Sequence, residues 1–128
     1  MDPSWQGKKV AFVGSGWSNF VCKPVDFVVE FQSDFDLKKG ANTYVNPFTV
    51  TAMLDYAQKM GAKSVVLMAA SSALSKMMIR LANQNGMETI NIVRKDDQVA
   101  DLKSNYGAKY AFNSDSASFW TDIESAFK

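Results

Sequence analysis

Two short stretches hold the residues whose types and spacing could do chemistry. Met68-Ala-Ala-Ser-Ser-Ala-Leu-Ser75 follows a β-prone run and opens a helical pattern. Every residue from Ala69 to Ala73 is Ala or Ser. Residues that small let a backbone approach a pyrophosphate, and a helix start there offers free amides to an anion. No glycine is present, so the usual dinucleotide fingerprint is missing. The same residues equally suit a packing turn with Ser71 or Ser72 as helix cap. The second stretch, Ile92-Val-Arg-Lys-Asp-Asp97, ends the next β-prone run, with Arg94 19 positions after Ser75. At this distance in a dinucleotide fold an acid binds ribose hydroxyls, whereas Arg suits a 2′-phosphate. The competing reading is a solvated charge cluster in which Asp96 or Asp97 caps the following helix. That reading fits the two Asp and Lys95 better than it fits Arg94.

The rest of the composition excludes more than it offers. There is no histidine among the 128 residues. Ser-His-Asp catalysis, Cys-His catalysis and His-ligated zinc sites are therefore ruled out. Cys22 is a lone cysteine in a β-prone stretch, so no internal disulfide forms and inert packing is its expected role. Fourteen Lys and Arg against thirteen Asp and Glu leave a net charge of +1. The pairs Lys8-Lys9 and Lys38-Lys39 are too short to make a basic patch, so no nucleic-acid partner is expected. The longest apolar run, Val65 to Ala70, is too short for a membrane span. No secretory or transit signal is recognised at the N-terminus, which points to the cytoplasm or an organelle matrix.

The elements that must position the two stretches follow a repeated grammar. A helical pattern ends at Gly61, Gly86 or Gly107, and a short β-prone run follows each. Glycine is the residue a left-handed helix cap wants. Between the runs the spacing predicts four helices. The first is capped by Asn46, starts at Pro47 and carries Met53, Leu54, Ala57 and Met60. The second runs from about Ala73 to Asn85. The third starts near Asp96 or Asp97 with Val99, Leu102 and Tyr106. The fourth covers Ser118 to Phe127. Alternating strands and helices predict a parallel α/β sheet with right-handed crossovers. Residues 1–45 read as β and loop: a run from Lys9 to Val13, a turn at Gly14, a β-prone stretch from Phe20 to Phe31 broken at Pro24, and a loop from Asp34 to Tyr44.

Several of these segments, taken in order, resemble one family. They are Asn46-Pro-Phe-Thr-Val-Thr-Ala-Met-Leu-Asp55, Gly61-Ala-Lys, Val65 to Ala82, and Ile90-Asn-Ile-Val-Arg94. The chain resembles the medium-chain dehydrogenase/reductase superfamily, in its zinc-free quinone reductase and enoyl reductase branch. The resemblance implies an α/β fold: a truncated, half-Rossmann parallel sheet of three strands at 46–128, preceded at 1–45 by a β/loop remnant of a GroES-like domain. It implies NADP(H) as cofactor. Carried over by position, Asn46 and Thr49 would lie near the nicotinamide, and Ser71, Ser72, Ala73 and Leu74 would approach the pyrophosphate. Arg94 would pair with the 2′-phosphate, and Asn113 would lie near the adenosine. Ser75 departs from the pattern, adding a side chain where the family carries glycine.

Members of that family are two-domain enzymes, so the resemblance implies a fragment, a split subunit or a degenerate relative. The expected function is an NADP(H)-binding piece of a zinc-independent reductase acting on quinones, enals or enoyl thioesters, inactive alone. The alternative is a non-catalytic structural or accessory subunit that kept the fold. In the usual doubly wound order the strand Ser64–Met68 would lose its neighbour on one side. Its apolar edge carries no protecting charge or Pro, so pairing with a second copy, cover by the chain's own residues 8–31, or pairing with another protein chain is expected there.

Overall fold

A computed structural model describes residues 3–126. Two units divide after Pro47. In the N-terminal unit, β1 (Val10–Phe12) and β2 (Val28–Glu30) pair antiparallel, Val10 opposite Glu30 and Phe12 opposite Val28. An ion pair between Lys8 and Glu30, 2.8 Å apart, closes one end of this ribbon. The β-prone stretch Phe20–Phe31 is extended into a strand only at its end. Pro24, at φ −62°, leads into a single 3-10 turn, Val25–Phe27, before β2 starts. The ring fixes φ and removes a donor, so no ladder can pass through that residue. The segment expected to be loop contains a four-residue helix, α1 (Leu37–Gly40), whose Asp36 side chain accepts from the Lys38 N–H. One turn held by one cap has no helical period to read from sequence. Phe31 and Phe35 stack beside it with ring centroids 4.5 Å apart.

The helix α2 (Val45–Lys59) begins one residue before its expected cap. Asn46 and Pro47 therefore both sit in its first turn, where backbone N–H groups lack intrahelical partners and Pro removes nothing. Its buried stripe is Val50, Leu54 and Ala57, spaced four and three residues apart, while Met53 and Met60 are exposed. Helix geometry puts i, i+4 and i+7 on one face.

The C-terminal unit is a three-stranded parallel sheet in the order β3 (Ser64–Leu67), β4 (Glu88–Val93), β5 (Tyr110–Asn113). The helices α3 (Ala73–Gln84) and α4 (Asp96–Tyr106) make the crossovers, and α5 (Phe119–Ala126) follows β5. Phe127, expected to extend α5, lies outside the described residues. This is the parallel α/β sheet that the alternation predicts, in the three-stranded half-Rossmann form that the resemblance implies. All three glycines that end the helical patterns take positive φ, between 67° and 72°.

Leu67, Asn91 and Ala111 stand in register across the three strands. Leu67, Val93 and Ala111 join Met78, Ile79 and Ala82 of α3 and Leu102 of α4 in one buried cluster. Met78, Ile79 and Leu102 are wholly buried. Each contributes roughly 1.5–3 kcal/mol by leaving water. Asn91 is buried at the sheet centre, where its Nδ2 donates to Tyr110 O at 2.8 Å and to Thr89 Oγ1 at 3.0 Å. The bond to Tyr110 ties β4 to β5. Among the described residues, no helix is long and apolar enough to cross a membrane.

Candidate functional site

The carboxyl ends of β3 and β4 open into one cleft of about 470 Å³. Met68, Ala69, Ser71 and Ser72 line it from the β3–α3 turn, Ile92, Val93, Arg94 and Gln98 from the end of β4 and the start of α4, and Ser114 from the end of β5. Parallel strands all point their carboxyl ends the same way, so the turns after them converge here.

The small residues of the β3–α3 turn follow a tight path. Ala69 takes φ +50°, a left-handed conformation that costs a residue with a Cβ about 1–2 kcal/mol. After it the ladder resumes one residue late, with the Ala70 N–H donating to Ile92 O at 3.0 Å. Ser72 then caps α3, its Oγ accepting from the Ser75 N–H at 3.2 Å. The Ser72 hydroxyl donates to Ser75 Oγ at 3.1 Å. Ser75 is 4% exposed and hydrogen-bonded, so the side chain added where the family carries glycine is accommodated rather than crowded. Ser71 Oγ is buried and has no hydrogen-bond partner. A buried hydroxyl left unmet costs about 1–3 kcal/mol, which a ligand oxygen at this turn would recover.

Arg94 is exposed at the end of β4, and its guanidinium has no ion-pair or hydrogen-bond partner among the described residues. Its backbone N–H donates to Gln98 Oε1 at 3.2 Å. The two neighbouring acids are engaged elsewhere: Asp96 Oδ1 accepts from Asn113 Nδ2 at 2.8 Å, and Asp97 Oδ1 accepts from the Gln98 N–H at 2.8 Å. Neither lines the cleft.

Of the residues singled out from sequence, Ser71, Ser72 and Arg94 come together here. Ala73 and Leu74 open α3 without lining the cleft, and Leu74 packs against the core. Asn113 faces a separate hollow of about 240 Å³ with Asp96, Val99 and Phe112. Its Oδ1 accepts from the Asp115 N–H at 3.0 Å, so both ends of the amide serve the turn after β5. Thr49, on α2, is not among the lining residues. Asn46 belongs to the N-terminal unit, where its Nδ2 donates to Asn42 Oδ1 at 2.7 Å. Sequence reasoning missed Gln98 and Ser114. The signal for Gln98 was present, because a Gln three residues after the Lys95 cap can reach back to the preceding strand end.

Beside the cleft, α3 and α4 are clamped by Lys76 and Asp101, 2.8 Å apart. The hydrogen bond from Lys76 to Asp101 raises the Lys76 pKa above its ordinary value. The Asn105 amide, and then Lys76, hold the Asp101 carboxyl below its ordinary value. Lys76 and Arg80 both lie over the Tyr106 ring, 4.7 and 4.6 Å from its centroid.

A nucleotide fits what is present: small residues at the turn, a hydroxyl short of a partner, a free guanidinium and no carboxylate on the cleft wall. No family model matches the chain. It is 33% identical over 76 residues to the human mitochondrial enoyl-[acyl-carrier-protein] reductase, covering 59% of this chain and 20% of that protein. The fold matches the crystal structure of a Mesorhizobium loti protein assigned as an NADPH:quinone reductase, with a TM-score of 0.79 and 32% identity. That match covers 96% of this chain and 37% of the other. The chain thus spans well under half of either relative.

Proposed function

We propose a function from one premise, that the chain is related to the medium-chain dehydrogenase/reductase superfamily through its nucleotide-binding half. On this reading the cleft between the β3–α3 turn and Arg94 binds NADP(H) as part of a zinc-independent reductase. The observation that carries it is the unpaired Arg94 guanidinium at the end of β4, facing a turn of Ala and Ser. A guanidinium is a fixed cluster of donors matched to a phosphate, and no carboxylate stands beside it to take the diol of a free ribose. Ser71 and the helix start behind it supply donors for the pyrophosphate.

When bound, the nicotinamide supplies a hydride, and the protein holds it against an acceptor. The two relatives are named for an enoyl thioester and for quinones, which supports an electron-poor conjugated acceptor as the substrate class of the assembled enzyme. The mitochondrial relative supports an organelle matrix as the setting.

Calorimetric titration with NADPH and NADH tests the reading. NADPH is expected to bind more tightly. A charge-assisted contact to phosphate is worth about 1.5–3 kcal/mol, so Arg94→Ala is expected to lose most of the preference. Equal affinities in the native protein, or tighter NADH binding, would reject it.

A further inference from the structure

We infer that Gln98 is a second specificity-determining residue of this cleft, presenting donors and withholding an acceptor where the nucleotide's ribose end would lie. The inference rests on the reading that the cleft binds a dinucleotide, and it adds to that reading a residue and a physical reason.

Gln98 sits in the first turn of α4, and its side chain reaches back to the end of β4. Oε1 accepts from the Arg94 backbone N–H at 3.2 Å. That bond sets which way the amide faces, since a flipped amide would put two donors against each other. The consequence falls on the other end of the group. Nε2 has no partner among the described residues, and Gln98 lines the cleft next to Arg94. Its oxygen is turned to the main chain, with one of its two lone pairs taken there, and its two amide hydrogens remain available.

The nearby acceptors are drawn away in the same manner. Asp96 is turned to Asn113, and Asp97 to the Gln98 main-chain N–H. A ribose 2′-hydroxyl is itself a donor and is best held by a carboxylate. A 2′-phosphate carries only acceptor oxygens and is best held by donors. This end of the cleft therefore suits the phosphate through two residues, Arg94 by charge and Gln98 by the forced orientation of a neutral amide.

The test is titration of the whole chain and two variants with NADPH, NADH and adenosine 2′-phosphate, with circular dichroism as a check of fold. Gln98→Glu is nearly isosteric, and a carboxylate in the first turn is favoured by the helix dipole, so the variant folds. It restores an acceptor and adds a negative charge. Gln98→Glu is expected to weaken NADPH and adenosine 2′-phosphate at least about 10-fold while tightening NADH. Gln98→Ala is expected to weaken the two phosphorylated ligands about 3- to 10-fold and leave NADH unchanged. If both variants keep the native NADPH-to-NADH ratio while Arg94→Ala loses it, the inference about Gln98 is overturned and the proposed function stands. If the native chain binds none of the three ligands, both fall together.

Discussion

Ser72 shows how a single side chain serves two levels of the structure. Its hydroxyl oxygen accepts from the Ser75 N–H, which ends the search of α3 for a cap, and its proton goes to Ser75 Oγ. The same residue lines the cleft. Removing the hydroxyl deletes the cap and leaves the 4%-exposed Ser75 hydroxyl without its donor. Ser72→Ala is expected to destabilise the chain by about 1–2 kcal/mol, read as a lower midpoint in urea with an unchanged slope. Ser72→Asp is expected to recover the stability, because Asp caps as well as Ser does. It places a negative charge where the proposed pyrophosphate binds, so nucleotide binding is expected to be lost. A stable Ser72→Asp variant with native NADPH affinity would contradict the placement of the phosphates at this turn.

The connections between elements are held by backbone conformation at one end and by charge at the other. Gly107 ends α4 at φ +71°, and its carbonyl accepts from Asn83 Nδ2 of α3 at 3.1 Å. A Cβ on Gly107 would lie 3.2 Å from that same nitrogen. Both the left-handed backbone and the close approach oppose a side chain. Gly107→Ala is expected to cost about 1–2 kcal/mol by chemical denaturation, and Gly107→Asn less, since Asn tolerates this conformation better. The clamp between Lys76 and Asp101 responds to pH instead. Asp101 is held below its ordinary carboxyl pKa, so its contribution is present above the unfolded value of 3.8 and fades as pH falls through the lower folded value. Lys76 is raised above 10.5, so its share is complete below that value and fades only as pH climbs past it. Unfolding midpoints measured from pH 2 to 6 are expected to fall less steeply on the acid side in Asp101→Asn than in the native chain. Both groups are partly exposed, so 0.5 M salt is expected to shrink that difference. An identical acid limb in the two proteins would show that the clamp carries no stability.

For the whole molecule, the functional question is how much of a reductase this chain carries. The described C-terminal unit provides the cleft proposed for one side of a dinucleotide, and the chain spans 20% and 37% of its two relatives. Hydride transfer gains its rate from holding donor and acceptor in register, which demands a shaped acceptor pocket as well as a cofactor cleft. This 128-residue chain alone is therefore expected to bind NADPH without turning it over. Steady NADPH oxidation with quinones or enals, linear in protein and abolished in Arg94→Ala, would overturn that expectation.

Much of this was legible in the residues themselves. The three-strand parallel sheet follows from local signals: glycines that demand positive φ, apolar stripes at helical spacing, and short β-prone runs between them. Arg94 and the Ala/Ser turn could be paired from sequence because a parallel sheet always gathers the carboxyl ends of its strands. The remainder depended on contacts between residues distant along the chain. Met53 and Met60 carry the right period yet face solvent, because burial is settled by what packs against a helix and not by its own pattern. Asn113 occupies a position that the resemblance assigned to a ligand, but Asp96, 17 residues earlier, claims its amide. Gln98 is an ordinary surface residue by type. It gains meaning only when the Arg94 N–H turns its oxygen to the main chain and leaves its donors free beside the cleft. Sequence determined the elements because helix period, strand alternation and glycine caps are local. Tertiary structure decided which polar groups remain unpaired, because a hydrogen bond between segments satisfies one group and frees another only once the chain is folded.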